Sequence, residues 1–403
     1  MTAMALMFLR IVFMARVLNI REFGQYSELL LISSTFCMLA CLGLQPMLQR
    51  DMPVMLVRSR ERVAEVAVVQ CVIVAGACFI LLVLISVFAG RLSEEVDSSL
   101  IAAGLLHGLS QQLFLIATVE SRSRGQSIRY AMQNLARGGI VLVGCIFLAV
   151  SSKSAVFVAV GEATLSIAIA STILLRVYRS GGLKPAAACK VAIWHLPRER
   201  WSSALALLVV ATISFAVLNA DRWVAAQTLK PERFSLYAFA WTLLAIAQSM
   251  QVVINASAFP LLARTFASSG VVPTFRLCMT MSCTLLVCTA VMAFPVWMLC
   301  KFGVSHWFPA YGASIILVPL FIAVAGLRIA DFWTSFMVII GYEAKLIVVN
   351  LTAILMSLGL WAVCVKPWVS VDFGLWQIGL LAALLSACNY LLVVGAAWQA
   401  RRL

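Results

Sequence analysis

Charge is scarce in this chain. Only 11% of its 403 residues are Asp, Glu, Lys or Arg, against about 25% in soluble globular proteins. Polar stretches of any length are missing as well. Apolar residues make up 63% of the sequence, in recurring runs close to the roughly 20 residues that cross a bilayer. Too little chain remains outside these runs for a separate soluble catalytic domain. No nucleotide-binding sequence Gly-x-x-x-x-Gly-Lys-Ser/Thr occurs, which excludes hydrolysis by that route. Nothing resembles the selectivity filter of a channel. Histidine occurs three times, at His107, His195 and His306, so no metal site is expected. The twelve cysteines lack zinc spacing, since Cys37–Cys41 and Cys278–Cys283–Cys288 have no second pair or histidines beside them. They read as small apolar side chains. The first residues show neither a basic segment nor a small-residue cleavage site, so no removable signal peptide is expected.

What is present is a series of hydrophobic spans, which predicts an all-α integral membrane protein. We count twelve, at about 2–18, 26–48, 64–89, 99–119, 130–150, 155–176, 201–220, 235–257, 275–299, 311–338, 345–365 and 374–398. The connecting segment 177–200 is longer than the others and carries Gly181-Gly182, Lys184-Pro185, Lys190 and Arg198. It predicts an N-terminal six-helix lobe over 1–176, a basic cytoplasmic linker over 177–200 and a C-terminal six-helix lobe over 201–403. With the N-terminus inside, inner loops hold 19 Lys and Arg, Arg50, Arg122, Arg124, Arg129 and Arg137 among them, and outer loops hold nine. That asymmetry predicts both termini in the cytoplasm. The net charge of +14 is then largely topological, with some affinity for anionic lipid headgroups and no nucleic-acid partner.

One segment occurs twice. Residues 21–50 and 232–264 align Phe23 and Tyr26 with Phe234 and Tyr237, and Pro46 and Arg50 with Pro260 and Arg264. Two similar halves suggest a transporter with its site between them, and the even span count makes the repeats parallel. Pro46 and Pro260 predict bends at matching places.

Ionisable and amide groups at membrane depth mark the candidate site, because such groups are costly unless they face a partner or a cavity. Arg10 stands in the middle of span one, and either snorkels to an interface or serves a site. Arg328 and Asp331 lie on one face of span ten with Ser335, either as a neutral pair or facing a cavity. Asp331 and Glu162 are candidates for ion coupling. Gln248, Gln251 and Asn255 form a polar stripe on span eight, His107, Gln111 and Thr118 another on span four, and Glu162 and Ser166 a third on span six. Each could bond helix to helix or line a vestibule suited to hydroxyl-rich cargo. Arg16, Asp221 and Arg222 lie at the outer ends of spans one and seven, where a charged outer rim is the functional reading.

Ala15-Arg16-Val17-Leu18-Asn19-Ile20-Arg21-Glu22-Phe23-Gly24-Gln25-Tyr26 resembles the segment Ala-Arg-Leu-Leu-Gly-Pro-x-Glu-Phe-Gly-x-Tyr of the polysaccharide biosynthesis (Wzx-type) flippases. These belong to the multidrug/oligosaccharidyl-lipid/polysaccharide exporter superfamily. Asn219-Ala220-Asp221-Arg222-Trp223 and Phe259-Pro260-Leu261-Leu262-Ala263-Arg264 are similar to that family's second-lobe elements, and Trp307–Tyr311 and Gly341-Tyr342 fall where it has turns. Asn19-Ile20 replace the family's Gly-Pro.

The resemblance implies a V-shaped pair of lobes around a central cavity in the bacterial inner membrane. It implies translocation of undecaprenyl-pyrophosphate-linked oligosaccharides, without covalent chemistry or cofactor, driven by a Na+ or H+ gradient. A polysaccharide polymerase and a chain-length regulator are partners on the same ground. Arg10, assisted by Arg328 and Arg50, is expected to meet the pyrophosphate, and Gln248, Gln251 and Asn255 the sugars. Two other readings stand beside this one: a cation-coupled multidrug antiporter of the same superfamily, and a membrane-embedded polysaccharide polymerase.

Overall fold

The computed structural model describes residues 2–57, 61–92, 97–181, 198–364 and 374–401. The described chain is helical and contains no strand. Its elements are α1 (Thr2–Val17), α2 (Ile20–Leu39), α3 (Leu44–Val57), α4 (Glu61–Leu92), α5 (Ser98–Ser123), α6 (Ser127–Ser152), α7 (Ala155–Gly181), α8 (Arg198–Thr228), α9 (Pro231–Ser269), α10 (Val271–Trp307), a 3-10 segment Pro309–Leu317, α11 (Val318–Ile329), α12 (Trp333–Ile339), α13 (Glu343–Cys364) and α14 (Leu375–Ala400). At about 1.5 Å per residue, the 32 residues of α4 exceed the ~30 Å hydrocarbon thickness.

Among the described residues nine helical segments are long and apolar enough to cross a membrane, or ten if the bent pair α2–α3 counts as one span. Their flanks are rich in exposed apolar side chains, such as Ile80, Leu84 and Phe88 on α4, Val143 and Phe147 on α6, and Val291, Phe294 and Leu299 on α10. A soluble protein rarely exposes apolar patches of such extent; hydrocarbon is the solvent they suit. Span one is the 16-residue α1, and most of the predicted linker 177–200 lies outside the described residues.

The chain forms two compact units, Met1–Thr212 and Ile213–Leu403. The division falls inside α8 because the start of that helix packs with the first unit. Ala204 is fully buried in a cluster with Phe36, Leu44, Leu48 and Cys71, and Trp201 and Leu207 pack against it. Within the first unit α5 is central, packing on α2, α4 and α7, while α6 packs on α1 and α7. Gly104 and Gly108 let α5 approach α2 closely: a Cβ on Gly108 would meet the Ser33 carbonyl oxygen at 2.7 Å. Small residues four apart permit this contact in membranes. In the second unit α14 packs on α13 and α11, and α11 on α9 and α10. Phe234, Tyr237, Leu244, Phe321 and Ile378 form one of its cores, and Phe275, Trp333, Phe336 and Val393 another.

Two predicted spans are broken. Span two turns by 56° between α2 and α3, at Leu42 (φ 48°) and Gly43 (φ 83°). A side chain at Gly43 would also run into the Ala204 carbonyl. The bend therefore belongs to Leu42-Gly43 and not to Pro46, which sits in the first turn of α3, where its missing N–H leaves no bond unmade. At the matching place α9 runs past position 260 without a break. Span ten breaks between α11 and α12. There Asp331 accepts from the Thr334 backbone N–H (3.2 Å) and hydroxyl (2.8 Å), and Ser282 donates to the freed Ala330 carbonyl at 2.8 Å.

Candidate functional site

The first unit gathers its polar groups around one carboxylate. Glu162 on α7 is fully buried. Its Oε2 accepts from the Arg10 guanidinium at 2.7 Å and meets His107 Nε2 at 2.9 Å. Its Oε1 accepts from Tyr26 at 2.6 Å and from the Cys145 thiol at 2.9 Å. A charged carboxylate can only accept, so His107 donates through Nε2, and Ser33 Oγ, 2.7 Å away, donates to Nδ1. Four helices besides α7 supply donors to one acid, which is what a carboxylate in a low-dielectric interior requires. Arg10 is thus neither snorkelled nor unpaired; its acid comes from another helix. A second buried arginine, Arg137 on α6, donates to Gln111 and to Ser166 Oγ (3.3 Å) and lies over the Phe114 ring at 4.4 Å. Arg137 is therefore not a loop residue, and without it the inner-loop excess of basic residues persists.

The family-like segment acts as a stitch between α2 and α7. Asn19 caps α2 by accepting from the Glu22 N–H at 2.8 Å, so the Gly-Pro replacement supplies an N-cap. Glu22 accepts from the Ala155 N–H at the start of α7, at 2.7 Å. Tyr26, one turn beyond Glu22, reaches Glu162 two turns further along α7. Phe23 between them is fully buried.

In the second unit Tyr237 answers to Tyr26: it too is fully buried and donates to a buried acid, Asp221 Oδ2, at 2.5 Å. The acid comes from the preceding helix α8 and is not the counterpart of Glu162. Asp221, expected on an exposed rim, is wholly buried. Arg222 lies over the Trp241 ring at 4.1 Å and donates to Asn219 at 3.4 Å; Arg16 is exposed.

Arg328 near the end of α11 is 6% exposed. It donates through Nε to Ser386 Oγ at 3.1 Å, while Nη1 and Nη2 have no hydrogen-bond partner among the described residues. It makes no ion pair with Asp331; the helix break turns that carboxylate onto Thr334 instead. Both residues line a cavity of about 50 Å³ with Gln251, Ser386, Asn389 and Tyr390. That is several times the roughly 10–15 Å³ a single water requires. The Asn389 side-chain carbonyl also lacks a hydrogen-bond partner among the described residues.

Of the expected site residues, the structure joins Arg10 with Glu162 in one unit, and Arg328, Asp331 and Gln251 around one cavity in the other. Arg50 is apart from both, exposed and bonded to Asp51 at 2.8 Å. The side chains of Gln248 and Asn255 lie outside the described residues. Tyr26, Ser33, Cys145, Arg137 and Ser386 belong to these clusters without having been singled out. For Tyr26 the repeated Phe-x-x-Tyr spacing is the signal that marks it; hydroxyl and thiol side chains in apolar runs carry no comparable one.

Residues 1–266 match the family of polysaccharide biosynthesis proteins. Among curated protein sequences none matches the chain. Among solved structures, an inward-facing multidrug resistance MATE family transporter of the MOP superfamily aligns with TM-score 0.71 at 12% identity, over 100% of this chain and 95% of that one. The lipid II flippase MurJ, in an inward closed conformation, aligns with TM-score 0.67 at 12% identity, over 98% and 85%. The Vibrio cholerae MATE transporter VcmN aligns with TM-score 0.61 at 12% identity, over 100% and 92%. At such identities the likeness is one of fold.

Proposed function

The chain belongs to the family of polysaccharide biosynthesis proteins, and from that premise we propose that it flips an undecaprenyl-pyrophosphate-linked oligosaccharide across the bacterial inner membrane. Both termini are cytoplasmic in this reading, and a polymerase and a chain-length regulator act on the delivered units. A pyrophosphate entering hydrocarbon alone faces a prohibitive loss of hydration, so its carrier must offer fixed cations. The observation that carries the reading is Arg328: a buried guanidinium, held through Nε by Ser386, with Nη1 and Nη2 unpartnered at a polar cavity. Guanidinium geometry matches phosphate oxygens in pairs. Gln251 and Asn389 beside it suit sugar hydroxyls.

Arg10 serves the same cargo when Glu162 releases it. Protonation of Glu162, or binding of a cation there, weakens the hold on Arg10, and this is how a Na+ or H+ gradient would couple to transport. Asp331, on the rim of the second cavity, is the alternative coupling acid. A multidrug antiporter is the competing reading: Glu162 is matched by Arg10 at 2.7 Å, as a phosphate carrier requires, while the buried Asp221 makes no ion pair among the described residues.

The test is export in a flippase-dependent strain. Arg328→Ala and Arg10→Ala are each expected to abolish surface polysaccharide while the protein still inserts. Normal polysaccharide from both variants would overturn the reading.

A further inference from the structure

A cavity of the first unit lies away from Glu162, where α4 begins, α5 ends and α6 begins. Helix ends of membrane spans stand at the level of the lipid headgroups. The cavity measures about 310 Å³, within the roughly 300–1,000 Å³ of small-molecule sites. Its apolar wall is Met52, Leu56, Ala64 and Val68, and its polar wall holds Glu61, Glu65, Glu120, Arg124, Gln126 and Arg129.

Internal pairing accounts for part of this charge. Arg124 on the α5–α6 turn donates to Glu120 at 2.8 Å and to Glu61 at 3.1 Å. Two groups of opposite sign are left over. Glu65 is only 8% exposed, and its Oε2 has no hydrogen-bond partner among the described residues. Arg129 donates to the neutral amide of Gln126 at 3.0 Å and to no carboxylate among the described residues. A buried carboxylate oxygen without a donor is costly, and the carboxylates do not converge: among the described residues no group of three or more acids, cysteines or histidines is placed to hold a metal ion. The complement to this wall is a molecule that presents an ammonium to Glu65, a phosphate to Arg129 and hydrocarbon to Met52 and Leu56. Exposed Ile128 and Met132, at 81% and 61%, continue the apolar surface along α6 next to Arg129.

We propose that this cavity binds the headgroup of a zwitterionic aminophospholipid, with Glu65 accepting from the primary ammonium and Arg129 donating to the phosphodiester. The site is separate from the cargo path and holds a resident lipid of the surrounding bilayer. A primary ammonium donates hydrogen bonds and a trimethylammonium does not, so ethanolamine and choline headgroups separate on this site. An anionic glycerol headgroup offers Glu65 neutral hydroxyl donors but no countercharge, so it should be held less well than the ethanolamine headgroup.

Native mass spectrometry of the full chain, released from micelles doped with equal phosphatidylethanolamine, phosphatidylcholine and phosphatidylglycerol, tests this. The wild type should retain the ethanolamine lipid preferentially. Glu65→Gln should lower that retention about tenfold, the equivalent of one charge-assisted hydrogen bond, and should fold, because it removes an unpartnered buried charge. Arg129→Gln, at an exposed position, should lower retention of both zwitterionic lipids. Equal retention of choline and ethanolamine lipids, or undiminished retention by Glu65→Gln, would overturn the proposal. Binding of soluble phosphoethanolamine without retention of the lipid would overturn the lipid as the source.

Discussion

The two units solve the same problem differently. Each buries a tyrosine at the same place in a repeated segment, and each points its hydroxyl at a buried acid. In the first unit the acid is saturated: Glu162 takes Arg10, His107, Tyr26 and Cys145. In the second, Asp221 Oδ1 and two nitrogens of Arg328 have no hydrogen-bond partner among the described residues, against only the Nε of Arg10 in the first cluster. A closed cluster resists rearrangement, since removing one member strands a charge. An open one has charge to offer a ligand. The expectation from sequence assigned the phosphate first to Arg10; the pairing found here puts Arg328 forward and makes Arg10 conditional on Glu162.

Substitutions can break this contrast in graded steps. The largest effect is expected from Arg10→Ala, which leaves Glu162 buried without its countercharge and should cost about 3–5 kcal/mol. The paired change Arg10→Met with Glu162→Gln should recover most of it. Unfolding of the detergent-purified protein measures both, and equal losses from the single and double variants would deny that the two are coupled. Next comes Gly108→Ala. Its Cβ has the Ser33 carbonyl at 2.7 Å, so α2 and α5 must separate and Ser33 must leave His107. Overpacking of this kind costs about 1–3 kcal/mol, and the same unfolding assay should show a loss that Ser33→Ala alone does not reproduce.

The tyrosines give a smaller and more discriminating pair. Losing one hydrogen bond to a buried charged acceptor costs roughly 1–3 kcal/mol. Tyr237→Phe removes the only side-chain donor to Asp221 among the described residues, whereas Tyr26→Phe leaves Glu162 three others. The second-unit variant should therefore unfold at the lower temperature of the two. The reverse order would mean that the first cluster is the more fragile.

Helix content and the apolar spans were legible from hydropathy alone, because length and composition decide whether a segment crosses a membrane. The breaks were not. Span ten reads as one apolar run, and nothing local shows that Asp331 would bond Thr334 instead of Arg328. Span two was expected to bend at Pro46, yet Leu42 and Gly43 hold the turn, because tertiary contact with Ala204 selects that conformation. In the site, Arg10, His107 and Glu162 were each visible as polar groups at depth. Their convergence was hidden, since Arg10 and Glu162 are separated by 152 residues, far beyond any helical register. Asp221 shows the opposite failure: its place near a helix end suggested exposure, and only packing by Tyr237 reveals its burial.

The largest change in function should fall at Arg328, and this is the most direct test. Thermal unfolding of wild type and Arg328→Met would be followed in detergent with and without a pyrophosphate-linked lipid. The wild type should be stabilised by the lipid. Arg328→Met should gain nothing from the lipid, each variant being compared with its own ligand-free unfolding temperature. Undiminished stabilisation of Arg328→Met by the same lipid would contradict the account.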